Sequence, residues 1–329
     1  MLDFEATSGD FRQIFNKDAG FCEFCRQLES GQASHAYIID CADKILYSDL
    51  LSCCASEIIG GGEKEKTLVF ARSHPDVESF PSEDKKRTSV DDVKKITASA
   101  YLKPTRAGKK VFCISAGGVG MESWQNKLLK LLEEPPANVY FLIVVPSAEE
   151  LLPTIRSRCQ IIKMGRFGVE TIAEFLNAKR NIPKDKANQY ARLAEGSIEK
   201  AIEISASADY ANCVKDVLYL LGNLTGTKNM SEFLNLVAKY KDNHETFLEI
   251  IEKVYFEALV IATNASQSLN LFEKNAIMKV VGLYTVDALM RSVLLVEQAK
   301  KQLDNNANYT MVMDGLLLKI LEVRYLCRQ

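Results

Sequence analysis

No stretch of this 329-residue sequence approaches the roughly 20 consecutive apolar residues that a membrane-spanning helix needs. Basic residues are not in excess either, because 41 lysines and arginines stand against 43 aspartates and glutamates. A protein that grips DNA alone usually carries a basic excess, so tight DNA binding by this chain alone is not indicated. The N-terminus is acidic and polar, unlike a signal peptide, and we therefore expect a cytoplasmic protein with no membrane partner.

A second pair of cysteines at zinc-finger spacing is also missing. Cys22 and Cys25 form a CxxC, but they lie in an amphipathic helical pattern. Cys53 and Cys54 are adjacent and add no partner motif, whereas a structural zinc site needs four ligands. The nine cysteines of a cytoplasmic chain are expected to be reduced thiols, most of them buried. The sequence therefore predicts core packing at these positions and no bound metal.

The first half of the chain alternates short apolar runs with helical patterns, which is typical of a parallel sheet flanked by helices. Almost continuous apolar runs predict buried central strands. These runs are AYIID (36–40), VFCIS (111–115) and YFLIVV (140–145), with TLVFA (67–71) and DVESF (76–80) as weaker candidates. One helix is predicted to begin after Ser89, which would be its N-cap. A second is predicted from Glu122 to Glu134, and the two prolines that follow would end it.

Strand patterns end near residue 165. Residues 168–179 and 184–194 have helical patterns, and Ser197 is a predicted N-cap of the next helix. From about residue 209 the pattern is helical to the end of the sequence. Several of these helices are apolar around more than one face, which favours an oligomerisation domain over a plain helical bundle.

Four segments, in order, resemble the delta-prime subunits of bacterial DNA polymerase III, which belong to the clamp-loader branch of the AAA+ ATPases. The segments are HAYIID (35–40), HPDVESF with SVDDVKKI (74–80 and 89–96), QNKLLKLLEEPPANVYFLIVV (125–145) and LLPTIRSRCQ (151–160). The resemblance implies an α/β fold: a P-loop NTPase-like parallel sheet domain, a small helical lid and an all-α C-terminal collar domain. The predicted boundaries are 1–165, 166–208 and 209–329.

The resemblance also places a nucleotide site after the first strand, and this sequence departs from it. A phosphate cradle needs glycines and a lysine followed by Ser or Thr. Here the stretch CADKILYSDL has no glycine, Tyr47 replaces the lysine, and only Ser48 fits. Ser115 and Ala116 stand at the two acidic magnesium-binding positions, and Val145 stands at the polar γ-phosphate sensor. The nucleotide site is therefore predicted to be degenerate.

Two further family elements are altered. The arginine that family members offer from the lid is replaced by Lys200 in GSIEKAI. Many delta-prime relatives carry a four-cysteine zinc module before the HPDV segment, but here only Cys53 or Cys54 matches one ligand. We therefore expect no intrinsic ATPase activity, no bound cofactor and no zinc.

One functional element is retained. Ser157, Arg158 and Cys159 match the Ser-Arg-Cys segment whose arginine, in the family, reaches into the nucleotide site of the neighbouring subunit. Arginine suits this role because its guanidinium stays charged and offers a planar fork of donors to phosphate oxygens. Arg156 is expected instead to support the fold through an ion pair. Cys159 is expected to pack at the start of a strand.

The segment before the arginine is expected to present it rigidly. Ser147 and Glu150 fit a capping box, which predicts that AEELLPTIRS begins as a short helix. His35 and His74 fall at strand boundaries and are predicted to be structural hydrogen-bonding residues.

The resemblance implies a non-catalytic clamp-loader subunit of the DNA polymerase III holoenzyme, which is a nucleotidyltransferase complex. Its partners would be the gamma or tau ATPase and delta, and through the complex the sliding clamp and primed DNA. The Ser-Arg-Cys segment favours delta-prime over delta, which generally lacks it. The alternatives are a working AAA+ motor, which the missing nucleotide-binding residues oppose, and a DNA-binding or scaffold replication factor outside a clamp loader.

Overall fold

The computed structural model describes residues 12–81, 88–116, 122–263 and 271–327. The chain divides into two compact units. The first comprises Met1–Thr171 and Ser197–Glu199, and the second comprises Ile172–Gly196 and Lys200–Gln329.

The first unit is built on one parallel five-stranded sheet. Its strands are β1 (Ala36–Asp40), β2 (Val77–Phe80), β3 (Lys110–Ser115), β4 (Val139–Val145) and β5 (Gln160–Lys163). Their spatial order is β2-β3-β4-β1-β5, and every pairing is parallel. The three continuous apolar runs form the central strands β1, β3 and β4, as predicted, because helices on both faces require apolar side chains on both sides of a strand.

Among the described residues of this unit, seven α-helices accompany the sheet. They are α1 (Arg12–Phe15), α2 (Ala19–Glu29), α3 (Tyr47–Ile59), α4 (Glu63–Phe70), α5 (Val90–Ala100), α6 (Glu122–Glu133) and α7 (Pro153–Arg156). The side chains of α5 and α6 that face the sheet form one buried cluster with β3 and β4, including Ile96, Trp124, Leu128, Phe112 and Phe141. The α/β class predicted from the sequence is confirmed.

The weak strand prediction for TLVFA (67–71) is wrong, because most of it lies in α4. Gly62 precedes a Glu-Lys-Glu-Lys run of strong helix formers, and the helix they start continues through the apolar residues. The Oγ1 of Thr67 donates to the carbonyl oxygen of Glu63 at 2.8 Å, within the same helix. The predicted cap of α5 is present: Ser89 and Asp92 form a reciprocal capping box.

The helix predicted to lead into Arg158 is interrupted. Ala148–Glu150 form a single 3₁₀ turn, with the side chain of Ser147 accepting from the Glu149 amide, and α7 begins only at Pro153. Leu152 precedes this proline and has an extended backbone, with φ −55° and ψ 141°. A proline disfavours helical geometry in the residue before it, which explains the break.

Described by itself, the second unit is helical. Its helices are α8 (Val169–Arg180), α9 (Lys184–Leu193), α10 (Ile198–Ala206), α11 (Ala208–Asn223), α12 (Met230–Ala238), α13 (His244–Ala262), α14 (Lys274–Val281), α15 (Val286–Asp304) and α16 (Tyr309–Leu326). Helices α8 and α10 begin in the first unit and continue here. The predicted division into a lid (166–208) and a collar (209–329) stays a prediction.

A search of the described helices found none with the length and apolar character required to cross a membrane.

Candidate functional site

Arg158 lies in a short connection between α7 and β5. Ile155 of α7 is completely buried in the core cluster of the sheet domain and anchors this connection. The backbone amide of Arg158 donates to the carbonyl oxygen of Ile155 at 3.0 Å, which continues the helical turn to the arginine. The backbone of Arg158 is therefore fixed by a buried side chain three residues earlier.

The guanidinium of Arg158 has protein partners on two elements. Its Nη1 donates to the carbonyl oxygen of Thr154 at 2.9 Å and to Oγ of Ser157 at 3.3 Å. Its Nη2 lies 2.5 Å from Oε1 of Glu133, at the end of α6. The side chain remains 34% exposed, so a fixed positive charge is presented at the surface of the sheet domain.

The two neighbours of Arg158 have supporting contacts. Oγ of Ser157 donates to the carbonyl oxygen of Thr154 at 3.1 Å, which ties the serine to α7. Cys159 is half-buried against the core cluster, and burial raises the pKa of its thiol to about 12. A thiol with such a pKa stays protonated at neutral pH and is a poor nucleophile. Arg156 forms the ion pair expected of it, with Nη1 2.6 Å from Oε2 of Glu149.

The turn after β1 is bridged by the side chain of Tyr47. This residue begins α3, and its Oη donates back across the turn to the carbonyl oxygen of Cys41 at 3.0 Å. Burial, together with nearby acidic groups, raises the pKa of Tyr47 and keeps the phenol neutral. Oγ of Ser48 accepts from Nη2 of Arg72 at 2.5 Å. Neither side chain therefore supplies a cation to this turn.

Carboxylates of the protein itself bind backbone amides around the same turn. Oε2 of Glu199 accepts from the amide of Lys44 at 2.7 Å. The buried carboxylate of Asp43 accepts from the amide of Ile198 at 2.7 Å and from Oγ of Ser197 at 2.6 Å. Ile198 is the first residue of α10, so Asp43 stabilises a helix N-terminus where an anion is favoured.

The carboxyl edge of the sheet brings the remaining altered positions close to this turn. Ser115 pairs with Val144 in the sheet, and Val145 pairs with Asp40, the last residue of β1. The amide of Ala116 donates to the carbonyl oxygen of Val144 at 2.8 Å. Ala116 and Val145 are buried and have no polar side-chain atom. Ser115 and Ala116 offer no carboxylate for a magnesium ion, and Val145 offers no side-chain donor for a γ-phosphate.

Lys200 is paired within the helical unit. Its Nζ lies 2.5 Å from Oε1 of Glu249 on α13, and Nζ of Lys253 lies 2.6 Å from the same oxygen. Burial alone would raise the pKa of Glu249, but the hydrogen bonds from both lysines lower it. Lys200 is thus held in an ion pair with an internal carboxylate, which it shares with Lys253.

The histidines expected to be structural have such partners. Nε2 of His35 is 3.0 Å from the carbonyl oxygen of Leu132, and His74 bridges Glu65 and the amide of Asp76. Cys53 and Cys54 are buried within α3. Within the ranges that the structure describes, no group of three or more His, Cys, Asp or Glu side chains is arranged to hold a metal ion.

Three residues at these sites were not identified from the sequence: Glu133, Asp43 and Glu199. Glu133 is part of the LEEPP segment that supported the resemblance, yet no local pattern pairs it with an arginine 25 residues later. Asp43 and Glu199 were passed over because their partners lie about 155 residues away in the chain.

Comparison with known proteins finds similarity that is concentrated in the sheet domain. Residues 17–167 match the family model described as DNA polymerase III, delta subunit. The chain is 29% identical over 165 residues to DNA polymerase III subunit delta' of Haemophilus influenzae, covering 48% of this chain and 50% of that protein. It is 29% identical over 153 residues to DNA polymerase III subunit gamma of Buchnera aphidicola, covering 46% of this chain and 41% of that protein.

A third relative matches along almost the whole chain. DNA polymerase III subunit delta' of Bacillus subtilis is 24% identical over 316 residues, which cover 90% of this chain and 93% of that protein. The chain spans half or less of the length of the first two relatives. The similarity to delta' subunits predicted from four sequence segments is confirmed.

Proposed function

We propose that this chain is a non-hydrolysing clamp-loader subunit of a DNA polymerase III holoenzyme, and that it supplies Arg158 to the nucleotide site of a neighbouring ATPase subunit. The proposal rests on two features that occur together in the sheet domain. A guanidinium is held at the surface, while the turn that would cradle phosphate is closed by the domain's own side chains.

Three features support the absence of intrinsic ATPase activity. Tyr47 donates to the turn instead of supplying an ammonium group. Glu199 and Asp43 already accept hydrogen bonds near the turn and would repel phosphate. Ser115 and Ala116 provide no carboxylate for magnesium. Hydrolysis requires the charge neutralisation and metal binding that these positions supply in active family members.

The contacts of Arg158 support its role as an arginine finger. The side chain is charged, partly exposed and anchored through buried Ile155. A guanidinium offers five N–H donors, and the hydrogen bonds to Thr154, Ser157 and Glu133 leave others for phosphate oxygens. Arginine fingers supplied in trans increase hydrolysis by roughly 10³–10⁵-fold.

The partners proposed are the gamma or tau ATPase and delta, and through the complex the sliding clamp and primed DNA. The helical unit supports assembly because its described residues expose large apolar side chains on several helices. Among them are Phe256 on α13, Met278 on α14, Met290 and Leu294 on α15, and Met311 and Leu318 on α16. Packing against other subunits would remove these side chains from water, which is favourable.

The proposal is tested by the ATPase rate of a clamp loader reconstituted with this chain, in the presence of the clamp and primed DNA. Arg158→Ala is expected to lower the rate by about tenfold or more, because a cation that stabilises the transition state is removed. Arg156→Ala is the matched control, since Arg156 is paired with Glu149 and is expected to leave the rate within about twofold.

Sizing chromatography of the same samples separates function from assembly. An intact complex with a lowered rate supports the arginine finger. An intact complex with an unchanged rate contradicts it and leaves the chain as a scaffold subunit. Failure of the wild-type chain to enter the complex contradicts the clamp-loader role and favours a replication factor that acts elsewhere.

A further inference from the structure

The end of α6 holds Glu133 in a fixed position. Leu131 and Leu132, the two residues before it, are buried in the core cluster, and His35 at the start of β1 hydrogen-bonds to the carbonyl oxygen of Leu132 at 3.0 Å. The helix ends at Glu133, and Pro135 prevents it from continuing. The carboxylate of Glu133 is therefore carried by a backbone with little freedom.

The contact between Glu133 and Arg158 joins two separate elements. Oε1 of Glu133 meets Nη2 of Arg158 at 2.5 Å, while Nη1 is held by Thr154 and Ser157 near its own backbone. Contacts on one side only would leave the long side chain free to swing. Contacts from α6 on one side and α7 on the other fix the direction in which the guanidinium points.

The value of this contact lies in positioning rather than in stability. An exposed ion pair contributes little to the stability of the fold, because water screens the two charges. An unheld arginine, however, loses side-chain entropy when it is ordered. A catalytic group that is misplaced by about 1 Å can cost about 10²-fold in rate. If the side chain is already ordered before it meets phosphate, less side-chain entropy is lost when the transition state forms.

We propose that Glu133 is a positioning residue that orients Arg158 for insertion into the neighbouring nucleotide site. This inference rests on the proposed role of Arg158 as an arginine finger. Glu133 touches neither nucleotide nor reacting atoms and acts only through the guanidinium.

Glu134 provides a matched control for Glu133. It is the next residue, it carries the same charge, and it is exposed. Its backbone amide donates to the carbonyl oxygen of Lys130 at 3.1 Å, while the oxygen that meets Arg158 belongs to Glu133. Glu133→Gln and Glu134→Gln therefore remove the same charge from neighbouring positions, and only the first removes the ion pair.

The experiment measures kcat and KM for ATP in the reconstituted clamp loader with clamp and primed DNA. Glu133→Gln is expected to lower kcat by about three- to tenfold with KM changed by less than about twofold, because orientation in the transition state is lost. Glu134→Gln is expected to match the wild type. In the Arg158→Ala background, Glu133→Gln is expected to cause no further loss, since the two residues act as one unit.

The outcomes distinguish this inference from the proposal on which it rests. An unchanged rate with Arg158→Ala contradicts the arginine finger itself. A lowered rate with Arg158→Ala, together with wild-type kinetics for Glu133→Gln, contradicts only the positioning role. A further loss in the double variant would show that Glu133 acts independently of Arg158. A higher kcat for Glu133→Gln would show that the carboxylate restrains the arginine, which also overturns the inference.

Discussion

At the scale of single residues, the turn after β1 differs from a phosphate cradle in what it contains as well as in what it has lost. Glu199 binds the amide of Lys44, and the hydroxyl of Tyr47 binds the carbonyl oxygen of Cys41. In a phosphate cradle, the backbone amides are left free to donate hydrogen bonds to a bound phosphate. Here an internal carboxylate already satisfies such an amide, so a phosphate would have to displace it.

This arrangement predicts that restoring the missing lysine does not restore nucleotide binding. Tyr47→Lys supplies the ammonium, but Glu199, Asp43, Ser115 and Ala116 remain as they are. Titration calorimetry of the isolated variant with magnesium and ATP is expected to show no saturable binding up to millimolar nucleotide. Micromolar binding would contradict the account, because it would mean that the lysine alone was limiting.

The hydroxyl of Tyr47 can be tested separately. Tyr47→Phe keeps the ring and removes only the hydrogen bond to Cys41. The free energy of unfolding is expected to fall by about 0.5–1.5 kcal/mol, which is typical of one neutral hydrogen bond. Urea unfolding followed by circular dichroism measures this change. An unchanged free energy of unfolding would mean that the ring, without its hydroxyl, is enough to close the turn.

At the scale of elements, the loop between α5 and β3 is organised by one buried aspartate, which lies immediately before β2. The carboxylate of Asp76 accepts from the amides of Thr105, Arg106 and Ala107 at 2.5, 2.7 and 2.8 Å. Burial alone would raise the pKa of Asp76, but these three amides, with His74, lower it. The HPDV segment used for the resemblance therefore has a structural role that its sequence did not indicate.

Replacing Asp76 by asparagine should destabilise the sheet domain. Asp76→Asn is expected to lower the free energy of unfolding by about 1–3 kcal/mol at pH 7, because hydrogen bonds to a charged acceptor are weakened. A carboxyl whose pKa is lowered by folding contributes its full stability above its unfolded pKa and loses it as the pH falls through the folded value. The difference in free energy of unfolding between wild type and Asp76→Asn should therefore stay constant from pH 7 to about pH 5. It should shrink only below about pH 4.

Urea unfolding at pH 7 and pH 5 checks this prediction. Asp304→Asn is the control, since Asp304 is exposed at the end of α15 and should change the free energy of unfolding by less than about 0.5 kcal/mol. A difference between wild type and Asp76→Asn that already varies between pH 7 and pH 5 would show that another titrating group is responsible.

The elements also show why sequence patterns succeeded in some places and failed in others. Strands β1, β3 and β4 were predictable because burial on both faces requires continuous apolar runs. The apolar run at 67–71 resembled a strand but lies mostly in α4. The helix begins at Glu63, before this run, and continues through it. AEELLPTIRS was predicted to begin as a short helix, and the effect of Pro153 on Leu152 was missed.

At the scale of the whole molecule, family segments indicated the candidate site residues, but only the structure reveals what holds them. Arg158, Tyr47 and Val145 were identified because they stand at fixed distances within recognisable segments. Their partners were not, because pairs such as Glu133 with Arg158 are distant in sequence and leave no periodic signal. A sequence pattern reports local geometry, whereas these contacts depend on how α6, α7 and the sheet pack together.

The central claim is that this chain does not hydrolyse ATP but supplies a cation to a neighbour that does. The most direct measurement is the binding of ADP and aluminium fluoride, a mimic of the phosphoryl-transfer transition state, by the reconstituted complex. Arginine fingers act on the charge of that state, so Arg158→Ala is expected to lower the number of bound aluminium fluoride groups per complex while ADP binding is unchanged. Equal amounts of the bound mimic in wild type and Arg158→Ala would contradict the account.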